Sequence, residues 1–145
     1  MDVAGQRRIR AVLDTCVLLS AERRPLLFLA ATGRYTLIWS EYIADEVRRK
    51  MVEMGWGAAK VAELVEALRK LAEVVDYRQV TGGNYDVWLR DPNDHPIMAT
   101  ALAGEADYLV TWNVKDFPPN RRFAGVTIIT PDTFLQLLGS TRILR

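Results

Sequence analysis

Cysteine is almost absent from this chain: Cys16 stands alone, so no internal disulfide can form and no thiolate cluster can hold zinc. A reducing, cytoplasmic setting is the expectation. Histidine is equally scarce, and His95 cannot make a zinc site by itself. No apolar run approaches the roughly 18 residues that a membrane span requires, because residues 9–19 are interrupted by Arg10 and Asp14. The basic residues Arg7 and Arg8 are followed by no long apolar segment and no small-residue cleavage site, so no secretion signal is expected. A soluble protein with no membrane partner is expected. An excess of one charge is missing too: the net charge is +1. The pI of 7.9 falls short of the value of about 9 that marks a strongly basic nucleic-acid binder. Composition therefore selects no partner. There is no glycine-rich phosphate loop, no internal repeat and no interdomain linker.

What the chain does have is apolar residues, 50% of 145, enough to bury the core of one domain. We expect a single domain over residues 1–145 with a core of about residues 9–138. Ile9, Ala11, Val12 and Leu13 make a short apolar run that suits a buried central strand ending at Asp14. Pro25 is expected to open a compact helix over residues 26–31, stopped by Gly33. Residues 36–39 read as a second strand. Ser40, as N-cap, then starts a helix to about Met54, with Ile43, Val47, Met51 and Met54 as its buried stripe. Gly55 and Gly57 break it before a second helix over residues 58–72, and the two form a hairpin.

Residues 74–77 read as a short strand or extended link, and Asp91, Pro92, Asn93 and Asp94 start a helix through Ala103. Residues 108–111 and 126–129 are two further strands, and residues 131–138 a closing helix. Strands alternating with helices predict an α/β fold, a doubly wound, mostly parallel sheet flanked by helices. Ligands of such sheets sit at the carboxyl ends of the strands.

Four acidic positions fall where that geometry would gather them. Asp14 directly follows a strand, where its carboxylate either caps the next turn or serves a site. A step of 100° per residue puts Glu46 on the border of its helix's buried stripe, able to reach a pocket or to pair with Lys50 four residues on. Asp91 and Pro92 have an ordinary capping explanation, whereas Asp94 shares its face with Ile97, Met98 and Ala101 and needs a partner there. Thr111, Asn113 and Asp116 put a hydroxyl, an amide and a carboxylate just past another strand end, or serve as turn residues ahead of Pro118.

Taken in order, these segments resemble the PIN-domain nucleases: Val12 to Thr15, the helix with Glu46, the run from Asp91 to Leu102, and Tyr108 to Phe117. The resemblance extends from about Arg10 to Leu138. Its last motif, Thr-x-Asn-x-x-Asp-Phe, is similar to that of one VapC-like subfamily. It implies a divalent-metal-dependent ribonuclease that hydrolyses RNA phosphodiester bonds, and many such compact proteins are toxins of toxin-antitoxin pairs. By position it implies catalytic and metal-holding roles for Asp14, Glu46 and Asp94, with Thr15 and Thr111 as supporting hydroxyls. In the commoner pattern an aspartate stands two residues after the threonine. Here Asn113 stands there, so either Asn113 or Asp116 is expected as the fourth ligand.

Oxygen donors without a thiolate cluster favour Mg²⁺ or Mn²⁺ over zinc. An acidic pocket repels RNA, so binding must come from cations on its rim. Arg23, Arg24, Lys115, Arg121 and Arg122 follow the strand ends most closely in sequence and are the candidates. Trp112, beside Asn113, is the tryptophan placed to stack on a base. The apolar surface of the helical hairpin and of residues 26–31 suits a homodimer or an antitoxin helix. The alternative is a non-catalytic domain of the same fold that binds RNA or protein. A receiver-type phosphotransfer domain fits poorly, because its Thr and Lys would come from successive strands and here Thr111 and Lys115 are four residues apart.

Overall fold

The computed structural model describes residues 7–79 and 94–143. Strand β1, Arg10–Leu13, lies in the middle of a six-stranded sheet. On one side come β2, Thr36–Trp39, and the two-residue β3, Glu73–Val74. On the other come β4, Tyr108–Val110, then β6, Val126–Ile129, and at the edge β5, Arg122–Phe123. All pairings are parallel except that of β5 with β6. Val12 stands level with Ile38 and Leu109, and Leu109 with Ile128. This row is fully buried, and burial on both faces is why these strands read as apolar runs rather than as alternating patterns.

Among the described residues six α-helices accompany the sheet: α1 Thr15–Leu18, α2 Arg23–Ala31, α3 Glu41–Glu53, α4 Ala58–Leu71, α5 His95–Ala103 and α6 Pro131–Ile143. The chain runs outward from β1 through β2 and β3, then returns across β1 to β4. The strand order therefore switches direction between β1 and β4, which opens a crevice at their carboxyl ends.

Several expectations are corrected in detail. Helix α2 begins at Arg23, so Pro25 occupies its third position; the first turn has no intrahelical acceptors for its N–H groups, and proline loses nothing there. Its end is as expected: Gly33 has φ +82°, and Gly33 N and Arg34 N donate to the Ala30 and Leu29 carbonyls, a Schellman closure. Ser40 has the extended backbone of an N-cap, but its hydroxyl lies 2.8 Å from that of Thr100 instead of capping α3. Ile43, Val47 and Met51 are buried as the periodicity required, whereas Met54 is 59% exposed because α3 ends at Glu53.

The third strand region is the two residues Glu73–Val74, with Val75 N still donating to Trp39 O at 2.8 Å, and Tyr77–Gln79 is a 3₁₀ turn. The expected capping roles of Asp91 and Pro92 lie outside the described residues, and α5 starts at His95 with Asp94 before it. Two elements had no counterpart in the sequence reading, the four-residue α1 and the β5–β6 hairpin. The latter turns through Ala124 and Gly125, whose φ values of 50° and 90° give the twist that a tight hairpin needs.

Gly104 ends α5 against the sheet. A Cβ there would overlap Ile38 Cγ2 and crowd the Thr100 carbonyl oxygen at 3.3 Å. Ile38 is fully buried and branched, so it has nowhere to retreat. Gly104→Ala is expected to cost about 1–3 kcal/mol, read as a lower midpoint in urea with an unchanged slope.

Candidate active site

Asp14 is the first residue past β1. Its amide still donates to Val110 O of β4 at 2.9 Å, which fixes its position between the two strand ends. An extended backbone, φ −63° and ψ 157°, makes it the N-cap of α1, and Oδ1 accepts from Thr15 N at 2.7 Å. The other oxygen, Oδ2, accepts from the hydroxyl of Thr111 at 2.8 Å, with Cys16 Sγ 3.6 Å away. The capping and site readings of Asp14 are therefore compatible, one oxygen serving each. Asp14 is 7% exposed, and burial raises its carboxyl pKa above the ordinary value. The Thr111 and Thr15 hydrogen bonds oppose that rise, and the charge of Glu46 adds to it.

Glu46 comes from α3. It accepts from Thr15 Oγ1 at 2.8 Å and from Tyr42 Oη at 3.3 Å. Lys50 is not its ion-pair partner; Arg49 Nη2 stands 3.8 Å from Oε2 instead. Tyr42 holds its proton up to about pH 12, because burial and then the Glu46 charge disfavour a phenolate. Tyr42 is thus a hydrogen-bond donor at every ordinary pH. Asp94, before α5, is 9% exposed, and Ile97, Met98 and Ala101 behind it are buried as the helical spacing indicated.

Thr111 is buried one residue past β4. Besides donating to Asp14, its oxygen accepts from Asn113 N at 2.9 Å, which turns the chain so that Asn113 reaches the crevice. Asn113 Nδ2 donates to Asp116 Oδ2 at 3.1 Å, leaving its Oδ1 for another partner.

Asp14, Thr15, Glu46, Asp94 and Asn113 line one cleft of about 350 Å³, together with Cys16, Arg49 and Lys50. The carboxylates come from three different elements that only the crevice between β1 and β4 brings together. Asp116 is not on that wall; it acts on the cleft through Asn113. None of the five cations selected from sequence lines it either. Arg23 Nη1 donates to Leu18 O at 3.1 Å, at the turn between α1 and α2. Arg24 and Lys115 are exposed. Arg122 pairs with Thr127, which is level with Tyr108, so it lies toward the amino ends of the parallel strands. The Arg121 carbonyl accepts from Ile128 N on that same edge. Trp112 is 40% exposed beside Asn113. Residues the sequence reading passed over are Cys16, Tyr42 and Arg49; Arg49 was detectable as the i+3 neighbour of Glu46 on a helical face.

The resemblance to PIN domains is matched by the model of that family, which aligns with residues 10–115. The chain belongs to the PIN domain family. The matched span begins at β1 and takes in Asp14, Glu46, Asp94 and Asn113, ending one residue before Asp116. No curated protein matches the chain significantly. Solved structures do. VapBC2 from Rickettsia felis, bound to a DNA fragment from their promoter, contains a similar chain at 19% identity and TM-score 0.56, covering 84% of this chain and 98% of that one. VapBC-1 from nontypeable Haemophilus influenzae is similar at 19% identity and TM-score 0.58, covering 86% and 99%. At that identity the likeness carries the fold, a PIN-type α/β sheet. No helix among the described residues is long and apolar enough to cross a membrane.

The donor set suits a hard divalent ion: carboxylate oxygens, an amide oxygen, and a thiol that burial and the Asp14 charge keep protonated. Among the described residues, no three His, Cys, Asp or Glu side chains are gathered tightly enough to form a ready-made metal cage. An ion at this site would complete its shell with water, as Mg²⁺ commonly does.

Asp14 also makes the metal-free fold sensitive to pH. Its folded pKa lies above its unfolded value, so its carboxyl favours the fold while protonated and loses that contribution as pH rises from about 4 through the folded value. In EDTA, Asp14→Asn is therefore expected to melt higher than the wild type at pH 8, with the gap closing toward pH 4. Equal gaps at both pH values in thermal melts would contradict this.

Proposed function

We propose that this PIN domain is a divalent-metal-dependent ribonuclease that hydrolyses RNA phosphodiester bonds. The observation that carries the proposal is the cleft itself, where Asp14, Glu46, Asp94 and Asn113 meet at the strand-order switch. A purely structural acid has no reason to be buried beside others in such a crevice, where desolvation and the Glu46 charge both raise the pKa of Asp14. A divalent cation would offset the acids gathered there, and Mg²⁺ or Mn²⁺ match their oxygens.

On this reading Asp14, Glu46 and Asp94 hold the ion or ions, and Asn113 offers a neutral fourth oxygen. A bound divalent ion supplies an activated water and a Lewis-acid contact to the scissile phosphate. The chain's own residues set the geometry. Thr111 and Thr15 N fix both oxygens of Asp14, while Thr15 Oγ1 and Tyr42 Oη fix those of Glu46. Asp116 orients the Asn113 amide.

The solved relatives are chains of VapBC assemblies. Their fold supports a further reading of this chain as the toxin of a bacterial or archaeal toxin-antitoxin pair, cytoplasmic, with an antitoxin partner and a homodimeric state. The exposed Val52, Met54 and Trp56 at the tip of the α3–α4 hairpin are apolar surface of the kind such contacts cover.

Cleavage of RNA in Mn²⁺, abolished by EDTA and reduced at least about 100-fold in Asp94→Asn, is the expected result. Asp116→Ala should lose less, about 10-fold, because it displaces a ligand without removing one. RNA that stays intact with wild-type protein, while Mn²⁺ still raises the melting temperature, would favour a metal-holding domain that only binds RNA. Asn113, in place of a fourth acid, gives that second reading its basis.

A further inference from the structure

Three carboxylates in a cleft repel a polyanion, and the two cations on the same wall belong to the helix that supplies one of the acids. Glu46, Arg49 and Lys50 stand at i, i+3 and i+4 of α3, one helical face, and all three line the cleft. Arg49 reaches between two acids, 3.8 Å from Glu46 Oε2 and 3.2 Å from Glu53 Oε2. Lys50 makes no ion pair among the described residues. Several other arginines are committed elsewhere: Arg10 to Glu73, Arg69 to Glu41 and Glu66, Arg78 to Asp76.

We propose that Arg49 and Lys50 are the phosphate-binding wall of the cleft, gripping the RNA backbone beside the scissile bond. The proposal rests on the ribonuclease reading and adds how an acidic site admits its substrate. Both side chains are exposed and long, so their charged ends can follow a backbone while their stems stay on α3. Arg49 exchanges partners: a phosphate takes the place of Glu46 and Glu53, and a surface ion pair of this kind is worth little enough to be given up. Glu46 is thereby released from a competing cation when substrate arrives. The path of the strand is also limited. Toward the amino end of α3 the cleft adjoins a hollow lined by Tyr42, Asp45, Glu46 and Arg49, and past it lies one lined by Glu41, Asp45 and Asp76 with Arg78 as a cation, a wall that repels RNA. The backbone therefore crosses the cleft on the Lys50 side and does not continue toward Tyr77.

The test is binding of a 2′-O-methyl RNA 12-mer, verified intact by gel after each measurement, to the full chain in Mg²⁺ across a salt series. For the pair Arg49→Gln and Lys50→Gln we expect about 10-fold weaker binding and a salt slope shallower by about 1.4, two phosphate contacts at about 0.7 each. Arg121→Gln with Arg122→Gln should bind as wild type does. Mn²⁺ should raise the melting temperature of all three proteins alike, which separates lost RNA binding from a damaged fold or metal site. Unchanged affinity and slope in the α3 variant would overturn the proposal, as would a larger loss in the Arg121 and Arg122 variant. Wild-type protein that binds the 12-mer through α3 but never cleaves RNA would overturn the ribonuclease reading and leave the wall standing. No binding by wild type would remove both.

Discussion

The carboxylate of Asp14 is almost sealed from water, and a charge in that position is tolerable only because donors reach both of its oxygens. One donor, the Thr15 amide, is local. The other, the Thr111 hydroxyl, comes from the end of a different strand. Because Asp14 N also pairs with Val110 O, backbone and side chain together tie β1 to β4 where the strand order reverses. The same Thr111 oxygen turns the following loop so that Asn113 faces the crevice, and the residue after Asp14 hands its hydroxyl to Glu46. Burial of one acid thus organises Glu46 and Asn113 around it.

Helix α3 is the second organising element, and its chemistry is divided by face. Ile43, Val47 and Met51 hold it against the sheet, while Glu46, Arg49 and Lys50 project along the border. An acid and two cations on one rigid face keep the balance of charge in the cleft under the control of a single helix. The protein can therefore be nearly neutral overall and still present a phosphate with local positive charge, since fields at this range depend on neighbours within a Debye length of about 8 Å at physiological salt.

Much of this architecture was legible in the chain. The residues of β2 and β6 follow directly from their apolar runs, α3 and α4 from their helical spacing, and the end of α2 from Gly33. The pairing of Asp14 with a site after β1, and the inward face of Asp94, also follow from periodicity. Met54 was misplaced because periodicity continues in sequence beyond the point where a helix stops. The β5–β6 hairpin was missed because its strand has two residues and its turn an Ala in place of the usual Asn or Asp. The rim cations were sought near strand ends along the chain, yet Arg121 and Arg122 run back along an edge strand, away from the crevice.

By itself the sequence determined most of the buried positions, where the main strands and helices lie, and that acids fall at strand ends and helix borders, since each of these depends on local composition and on periods of two or 3.6 residues. Only the tertiary structure decided that Asp116 stands behind Asn113, that Thr111 belongs to Asp14, and that Arg49 and Lys50 share the cleft. Those relations join residues that are far apart in the chain or separated by a turn, and they are fixed by strand order and register, which no local pattern encodes.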